Sequence, residues 1–496
     1  MRMKKEMVTL EIGNINTKIN GYIGKEHFTP LKKAIGYLDE NFYWKIKNTK
    51  SNWDGWVSCL KSTKKGLYFS SGVLSEVSKY FKDNHIDFRL KDLRVKPEKN
   101  LDLSMDYSII EDRDYQTDCR DRIDKSSRGI LQIATGGGKT CIASHIVSRI
   151  NVSPAIFYVP QIDLLIQAKE ELEKFILNNS KKLNGRKLEV GMIGGGYIDI
   201  KDINIMTMQT ALRALDEKYD KFDEEDNEKD KTDLGKRKED IKKLIKNAKL
   251  IIFDECQHCA SSTCQKICKH STKAYYRVAM SATPYRDMND DILITACFGK
   301  IQKKVSASKL IRENVLVKPD IYMVPFHHEN DASSYQSVYK ECIVENTLRN
   351  MQISKWANKL ADKNRKILTL CRQLNHVKVL NDLMGDRSYC LSGKDSKDKR
   401  RDHLEKMRSG EIPITISTNI FDEGIDVKPL DTLILAGSGK SATRALQRIG
   451  RVIRSYPGKK NAVVIDFIDH CKYLKDHSLR RKKIYETEPE FNIELL

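Results

Sequence analysis

The chain has 496 residues, 40% of them hydrophobic, and carries a formal net charge of +20. Its length predicts about three or four domains, and its charge favours a polyanionic partner such as nucleic acid. No apolar run is long enough to cross a bilayer, the start MRMKKEMVTLEIGN lacks a signal-peptide core, and the 12 cysteines form no small disulfide framework. These features argue against the membrane and secreted classes, so we expect a soluble, cytoplasmic protein.

Residues 1–108 predict a small, basic α+β domain that engages nucleic acid. The run Gly66–Ser70 alternates as a strand does, and Leu74–Phe81 has the apolar spacing of a helix. Nearer the start, the stretch Asn48–Leu60 contains an Asp-Gly pair and predicts a β-hairpin.

Two series of short apolar runs and helical patterns follow, and they predict two tandem α/β layers with parallel sheets. The first layer occupies 109–312 and the second 313–470, and we expect a basic tail over 471–496. The predicted strands are 130–133, 155–159, 203–207, 250–253 and 276–280 in the first layer, and 366–370, 388–391, 414–417, 432–436 and 462–467 in the second.

A glycine-rich turn, Thr135-Gly136-Gly137-Gly138, lies between the first of these strands and a helical pattern. This order of strand, glycine turn and helix is that of a phosphate-binding P-loop. Backbone N–H groups of the turn and the helix dipole would hold the phosphates, and Lys139 would neutralise the outer two. Thr140 would offer its hydroxyl to magnesium, so the segment predicts binding of ATP with Mg²⁺.

The acidic stretch DECQH comes directly after the predicted strand 250–253. Parallel α/β sheets bind ligands at the carboxyl ends of their strands. We therefore expect Asp254 to hold the magnesium shell and Glu255 to orient or deprotonate the water that attacks a phosphate.

The same stretch begins a cysteine cluster that allows a second interpretation. The spacing is one that structural zinc or an iron–sulfur cluster accepts, and the residues concerned are Cys256, Cys259, Cys264, Cys268, His258 and His270. Small buried thiols on a helix explain the spacing too, and a metal inside the acidic motif would crowd its carboxylates. We favour the hydrolytic interpretation and keep the metal site as the alternative.

Two further motifs follow, SAT (Ser281 to Thr283) and QRIGRVIR (Gln447 to Arg454). Arg451 and Arg454 are three residues apart, so on a helix they would share one face and could both reach a γ-phosphate across a cleft. An exposed basic helix is the alternative for this segment taken alone.

Six motifs occur in the order found in superfamily 2 helicases, and the chain from about 109 to 470 resembles that family. They are Tyr115-Gln116, IATGGGKT, DECQH, SAT, the stretch 417–426 and QRIGRVIR. The resemblance implies two tandem RecA-like domains and a nucleic-acid-stimulated ATPase. It implies that Gln116 reads adenine, and that Thr135 and the glycines at 136–138 hold phosphates beside Lys139.

The resemblance also implies roles for residues outside the P-loop. His258, Ser281 and Thr283 would couple hydrolysis to motion. The residues that would close the ATP site from the second domain are Gly424, Asp426, Gln447, Arg451 and Arg454. Nucleic acid would run across both layers, with Thr207, Arg372 and Thr418 near its phosphates.

The front domain carries Trp53 and Trp56 among many lysines, where exposed aromatic rings can stack on bases. Packing in the core of the predicted hairpin is the alternative for both tryptophans. The stretch SNWDG, with KKGLYFSSGVL after it, resembles the amino-terminal domain of the UvsW-type recombination helicases of bacteriophages.

This second resemblance implies an ATP-dependent DNA helicase that remodels branched DNA by branch migration, fork regression, R-loop unwinding and strand annealing. It would act in the cytoplasm of a bacterium or a phage-infected host. Its partners would be branched, forked or single-stranded DNA, RNA in hybrids, and recombination or nuclease proteins. Four alternatives stay open: an RNA helicase, the motor subunit of a restriction or antiviral nuclease complex, a nucleic-acid sensor that switches with ATP without translocating, and a structural or metal-binding protein.

Overall fold

The computed structural model describes most of the chain and divides it into two compact units. The described residues are 7–49, 53–180, 185–216, 228–257, 262–284, 290–329, 331–392, 395–418, 427–437, 439 and 441–496. The first unit spans 1–133 and 138–304, and the second spans 134–137 and 305–496. Within the described ranges, none of the helices combines the length and the apolar character that a bilayer crossing demands.

The first unit begins with a front part built on an antiparallel sheet that has one parallel pair. In the described residues its strand order is β5-β6-β2-β1-β7, with β1 parallel to β7. Leu10, Phe69 and Phe81 are buried in its core. Its elements are β1 Val8–Ile12, β2 Asn16–Asn20, α1 Lys25–Ala34, β3 Gly36–Leu38, α2 Phe42–Thr49, β4 Trp56–Ser58, β5 Leu60–Thr63, β6 Gly66–Ser70, α3 Leu74–Asp83 and β7 Phe88–Asp92.

The predicted hairpin over Asn48–Leu60 is wrong. Helix α2 includes residues 48 and 49, and β4 pairs with β3, which lies earlier in the chain. The Asp-Gly pair therefore bends the chain into β4 after a helix. Phe42 and Ile46, four residues apart on α2, are the half-buried positions of a helical period that the hairpin interpretation overlooked.

The rest of the first unit is the expected parallel α/β layer. In the described part its sheet has the order β14-β13-β15-β10-β16-β17-β9-β18, and the run from β13 to β9 is parallel. The five predicted strands are confirmed. The elements are β8 Leu103–Met105, α4 Asp114–Ser126, β9 Arg128–Ile133, α5 Lys139–Ile150, β10 Ala155–Val159, α6 Ile162–Phe175, β11 Ile176–Asn178, β12 Arg186–Lys187, β13 Val190–Gly194, β14 Tyr197–Ile198, β15 Ile203–Thr207, α7 Met208–Leu215, α8 Glu228–Asn247, β16 Leu250–Phe253, α9 Ser262–His270, β17 Tyr276–Ser281, α10 Ile292–Phe298 and β18 Ile301–Val305.

The front part shares its core with this layer through α10. Ile292, Leu293 and Ala296 of α10 pack against the buried residues of the front sheet. A Cβ placed on Gly72 would lie 2.0 Å from the Thr295 carbonyl oxygen, so the contact requires glycine at that position.

The second unit is a second parallel layer, as predicted. Its described strands have the order β21-β22-β20-β23-β24-β19-β25, and every recorded pairing among them is parallel. The elements are α11 Ala307–Arg312, β19 Pro319–His327, α12 Tyr335–Tyr339, α13 Thr347–Ala361, β20 Ile367–Leu370, α14 Leu374–Met384, β21 Ser388–Leu391, α15 Lys397–Ser409, β22 Ile414–Ser417, β23 Thr432–Leu435, α16 Ala442–Val452, β24 Ala462–His470, α17 Leu474–Tyr485 and β25 Asn492–Leu495.

Residues 471–496, expected to be a basic tail, form α17 and β25 instead. β25 adds a strand to the sheet beside β19. Arg481, in the basic run of α17, is 3% exposed and donates hydrogen bonds to both carboxylate oxygens of Asp466. The buried side chains of Leu474 and Tyr485, together with this buried pair, attach the segment to the second unit.

Candidate functional site

The glycine-rich turn joins β9 to α5 as its sequence predicts. Gly136 and Gly138 have φ of +85° and +73°, conformations that favour glycine, and the Gly137 N–H donates to the Ala134 carbonyl oxygen at 2.9 Å. A Cβ on Gly138 would lie 2.9 Å from Gln116 Nε2. The turn leads into a helix of 12 residues, whose first N–H groups and dipole suit an anion.

Lys139 begins α5 and lies between the two acidic residues that follow β16. Its Nζ forms an ion pair with Glu255 and is 3.6 Å from Asp254 Oδ1. The three side chains are only 12–16% exposed, so water screens these charges weakly. Glu255 has φ of +49°, a conformation that is uncommon outside glycine and that turns the chain sharply at the strand end.

Asp254 has the environment of a ligand for a divalent cation. Its Oδ1 is buried and accepts no hydrogen bond within the described part of the chain. Burial raises the pKa of Asp254 to about 6, although the Lys139 ammonium group acts in the opposite direction. Mg²⁺ prefers carboxylate and hydroxyl oxygens, and Thr140 lies in the first turn of α5. The residues therefore fit magnesium.

Gln257, to which sequence analysis assigned no role, links the acidic motif to the SAT motif. Its Nε2 donates to Glu255 Oε2 at 2.9 Å, and its Oε1 accepts a hydrogen bond from Ser281 Oγ at 2.6 Å. The Thr283 N–H donates to Ser281 Oγ at 3.0 Å. A change at the Glu255 carboxylate is therefore connected by hydrogen bonds to the end of β17. The sequence signal for Gln257 was its place inside DECQH.

Gln116, predicted to read adenine, lies on α4 and is 3% exposed. Its Oε1 is 3.9 Å from Cys141 Sγ. The structure thus places Gln116 against the glycine turn and the start of α5, next to the predicted phosphate cradle.

The cysteines of the alternative metal site are mostly core residues. Cys256, Cys264 and Cys268 belong to the apolar core below the sheet, whereas His258 and Cys259 lie outside the described residues. Among the side chains that the structure describes, no group of three or more His, Cys, Asp or Glu residues is arranged to hold a metal. Burial raises the pKa of the Cys256 thiol well above its usual value, as expected for a thiol that packs as an apolar group.

Arg451 and Arg454 lie in different types of secondary structure. Gln447 and Arg451 lie on α16, but α16 ends at Val452, and Arg454 forms an isolated β-bridge with Leu316. The prediction that Arg451 and Arg454 share one helical face is therefore wrong, because tertiary backbone pairing takes Arg454 out of the helix.

Two of the predicted nucleic-acid contacts lie at strand ends. Thr207 ends β15 and caps α7, where its Oγ1 accepts a hydrogen bond from the Thr210 N–H at 3.3 Å, and it is 3% exposed. Thr418 directly follows β22. Gly424 and Asp426, from the same motif, lie outside the described residues.

Arg372, the third predicted contact, is exposed just after β20. Its Nη1 donates to the Tyr335 hydroxyl at 2.8 Å. The guanidinium lies 5.8 Å and 5.5 Å from the ring centres of Tyr335 and Tyr339, within the range of cation–π attraction.

In the front part, the exposed aromatic side chains differ from the two that were predicted. Trp53 and Trp56 are half-buried, and Trp53 Nε1 donates to the Trp56 carbonyl oxygen at 3.1 Å. Tyr43 and Trp44 on α2 are 78% and 69% exposed. Helix α2 therefore presents more ring surface to a base than Trp53 or Trp56 does.

A parallel α/β layer with a glycine turn, a lysine and paired carboxylates at the carboxyl ends of its strands defines a P-loop nucleoside triphosphatase. Residues 109–286 match the family described as "Type III restriction enzyme, res subunit", and residues 347–456 match "Helicase conserved C-terminal domain". The chain belongs to the superfamily 2 helicases and is an ATPase and helicase enzyme.

Named relatives extend over most of the chain. The DNA 3'-5' translocase XPB2 of Sulfurisphaera tokodaii is 25% identical over 461 residues, covering 84% of this chain and 95% of the relative. The ATP-dependent DNA helicase uvsW of Enterobacteria phage T4 is 24% identical over 514 residues, covering 94% of each chain. A fragment of a putative HsdR subunit of a type I restriction enzyme from Vibrio vulnificus has the same fold, with a TM-score of 0.52, 17% identity and coverage of 77% of this chain and 68% of that one.

Proposed function

We propose that this helicase uses ATP to remodel branched DNA by branch migration, fork regression, R-loop unwinding and strand annealing. The observation that carries the proposal is the match to the phage T4 helicase over 94% of both chains, because a match of that extent includes the front part as well as the motor layers. The DNA translocase from Sulfurisphaera tokodaii supports DNA as the substrate. RNA would enter as one strand of a hybrid.

ATP and magnesium bind at the edge formed by β9, β16 and β17. The N–H groups from Thr135 to Gly138 hold the phosphates, and Lys139 exchanges its ion pair with Glu255 for the outer phosphates. Asp254 and Thr140 would hold magnesium, which would neutralise phosphate charge when bound. Once Lys139 has moved to a phosphate, Glu255 is available to accept a proton from the attacking water.

The hydrogen bonds from Glu255 through Gln257 to Ser281 and Thr283 couple ATP hydrolysis to motion of the protein. Family resemblance implies that His258 also takes part in this coupling. Family resemblance implies that Gln447, Arg451, Arg454, Gly424 and Asp426 of the second layer take part in ATP hydrolysis. These roles rest on the motif order. Arginine beside a γ-phosphate stabilises the charge of the transition state.

DNA contacts extend from the layers to the front part. Thr207, Arg372 and Thr418 lie at or just after the ends of strands, and family resemblance implies that they contact the phosphates. On α2, the exposed rings of Tyr43 and Trp44 stack on unpaired bases at a junction, since ring faces beside lysines bind single strands without sequence preference.

The test is ATP consumption and strand displacement measured side by side on single-stranded, forked and four-way DNA and on an RNA–DNA hybrid. We expect the forked and four-way substrates to be processed faster than a linear duplex. Lys139→Ala should remove both activities, and Lys125→Ala, at an exposed lysine of α4, should keep them. Processing of a plain RNA duplex faster than of every DNA substrate would replace the proposal by an RNA helicase.

A second candidate is the motor subunit of a restriction or antiviral nuclease complex. The match of residues 109–286 to the restriction-subunit family favours it. Copurification of a nuclease from the native host, together with ATP-dependent cleavage that requires Lys139, would support this candidate. Full junction activity by the isolated chain would favour the first proposal.

A further inference from the structure

A cavity of about 480 Å³ lies in the second unit. Its floor is formed where the adjacent strands β20 and β23 end, and its walls come from α12, α16 and α17. The volume lies within the range of about 300–1,000 Å³ that is usual for small-ligand sites. The lining residues are Tyr335, Arg372, Gly437, Gly439, Ser441, Arg444, Ala445, Arg448, Tyr473, His477 and Arg481.

The cavity is cationic. Four arginines line it, and no acidic residue occurs among the described lining residues. Arg481 is neutralised by Asp466 at 2.8 Å, so the exposed guanidinium groups of Arg372 and Arg444 supply positive charge to the cavity. Arg372 and Arg444 are exposed at the mouth, whereas Arg448 is 7% exposed. A dianionic or diester phosphate is the chemistry that such a group of guanidinium forks recognises.

One wall of the cavity is aromatic. The rings of Tyr473 and His477 lie 6.0 Å and 5.5 Å from the ring of Tyr335 in edge-to-face arrangements. Tyr473 has φ of +67°, which is strained for a bulky residue, and its hydroxyl donates to the Ser333 carbonyl oxygen at 2.9 Å. This arrangement holds ring surface next to the arginines.

We propose that the cavity binds one nucleotide unit of the nucleic-acid strand, with the phosphate on Arg372 and Arg444 and the base or sugar against Tyr335 and Tyr473. The inference rests on the proposed function and deepens it, because Arg372 becomes one side of an enclosed site instead of a lone phosphate contact. Arg444, Tyr335 and Tyr473 were not singled out by any sequence motif.

The direct test measures the affinity of the full chain for a short fluorescein-labelled single strand by anisotropy, without ATP and over a salt series. We expect Arg372→Ala and Arg444→Ala each to weaken binding about fivefold to tenfold and to reduce the salt slope by about 0.7. The matched control is Arg387→Ala, because Arg387 is exposed at the amino end of β21, on the opposite edge of the same sheet, and pairs with Asp362. It should leave both quantities unchanged.

A second pair of variants tests the aromatic wall. Tyr335→Leu should weaken binding of the strand about tenfold because the ring is lost, while Tyr335→Phe keeps the ring and should change affinity less than about threefold. Thermal unfolding of both variants shows whether the fold is intact. If leucine and phenylalanine at this position bind equally well in folded protein, the base does not lie on Tyr335 and the proposal fails.

Competition distinguishes a strand from a free nucleotide. AMP and inorganic phosphate are added separately to the labelled complex, and AMP binding is measured by calorimetry for each variant. Variants that lose AMP binding but hold the strand as tightly as the unmodified protein would overturn the strand assignment in favour of a free-nucleotide site. Equal strand affinity and salt slope in Arg444→Ala and Arg387→Ala would also overturn it. ATP hydrolysis and junction processing by the unmodified chain report on the proposed function independently.

Discussion

Replacing Arg481 with alanine tests whether α17 is a structural element of the second unit. Arg481 donates to both oxygens of Asp466 at 2.8 Å, and the two side chains are 3% and 0% exposed. Tyr485 donates its hydroxyl to the same carboxylate at 2.9 Å. Burial acts to lower the pKa of Arg481, but the Asp466 carboxylate outweighs it and the pKa is raised, so the guanidinium stays charged.

The size of the effect follows from burial. Removing one partner of a buried ion pair costs about 3–5 kcal/mol, because the other charge stays buried without compensation. Arg480, its neighbour in sequence, is exposed, and substitution there is expected to cost less than about 0.5 kcal/mol. Since about 1.4 kcal/mol is a factor of ten, Arg481→Ala should accelerate amide exchange in β24 by roughly two to four orders of magnitude, and Arg480→Ala should leave it unchanged.

Native-state hydrogen exchange read by mass spectrometry on peptides from β19 and β24 measures this difference at constant pH and temperature. Equal exchange in the two variants would refute the buried-pair reasoning. Unchanged exchange combined with weaker binding of a single strand would instead make Arg481 a solvent-facing phosphate contact.

Three further outcomes are expected. Lys139→Ala should lower ATP turnover about a thousandfold or more, because the outer phosphates lose their cation, and turnover near that of the unmodified protein would contradict the P-loop assignment. Glu255→Gln should bind ATP, measured with a fluorescent analogue, yet hydrolyse it about 10²- to 10⁴-fold more slowly; rapid hydrolysis would remove Glu255 from its role. Trp44→Ala should weaken single-strand and junction binding by about 1–3 kcal/mol, whereas Trp53→Ala should chiefly lower the melting temperature. If Trp53→Ala instead weakens binding and Trp44→Ala does not, Trp53 is the residue that stacks on bases.

Features set by local sequence were predictable. Fully buried parallel strands appear as short apolar runs, so Ala155–Val159, Ile203–Thr207 and Leu250–Phe253 have the predicted bounds. The glycine turn was equally clear, because left-handed conformations and a close approach to Gln116 both demand glycine. Lys139 and Glu255 follow β9 and β16, whose carboxyl ends lie at the same edge of the sheet on either side of β17, and this brings the two side chains together.

Features set by tertiary contacts were not predictable. The end of α16 before Arg454 depends on Leu316, which is more than a hundred residues away in the chain. The cavity around Tyr335 and Arg444 is lined by segments that are far apart in the sequence, and no sequence motif includes these two residues. Likewise, the sequence of the basic run in α17 is typical of a solvated segment, because nothing in it indicates that Arg481 is buried against Asp466.

The strand order of the first unit has a consequence for biosynthesis. β9, which ends at the glycine turn, lies between β17 and β18. In the parallel pairing of β9 with β17, Arg128 lies opposite Arg277. The strand that ends at the glycine turn is thus translated long before its neighbours, and loop closure over such a distance is slow. A nascent chain halted upstream of Tyr276 would display an incomplete sheet to chaperones, so ribosome pausing in that interval is expected to raise its aggregation.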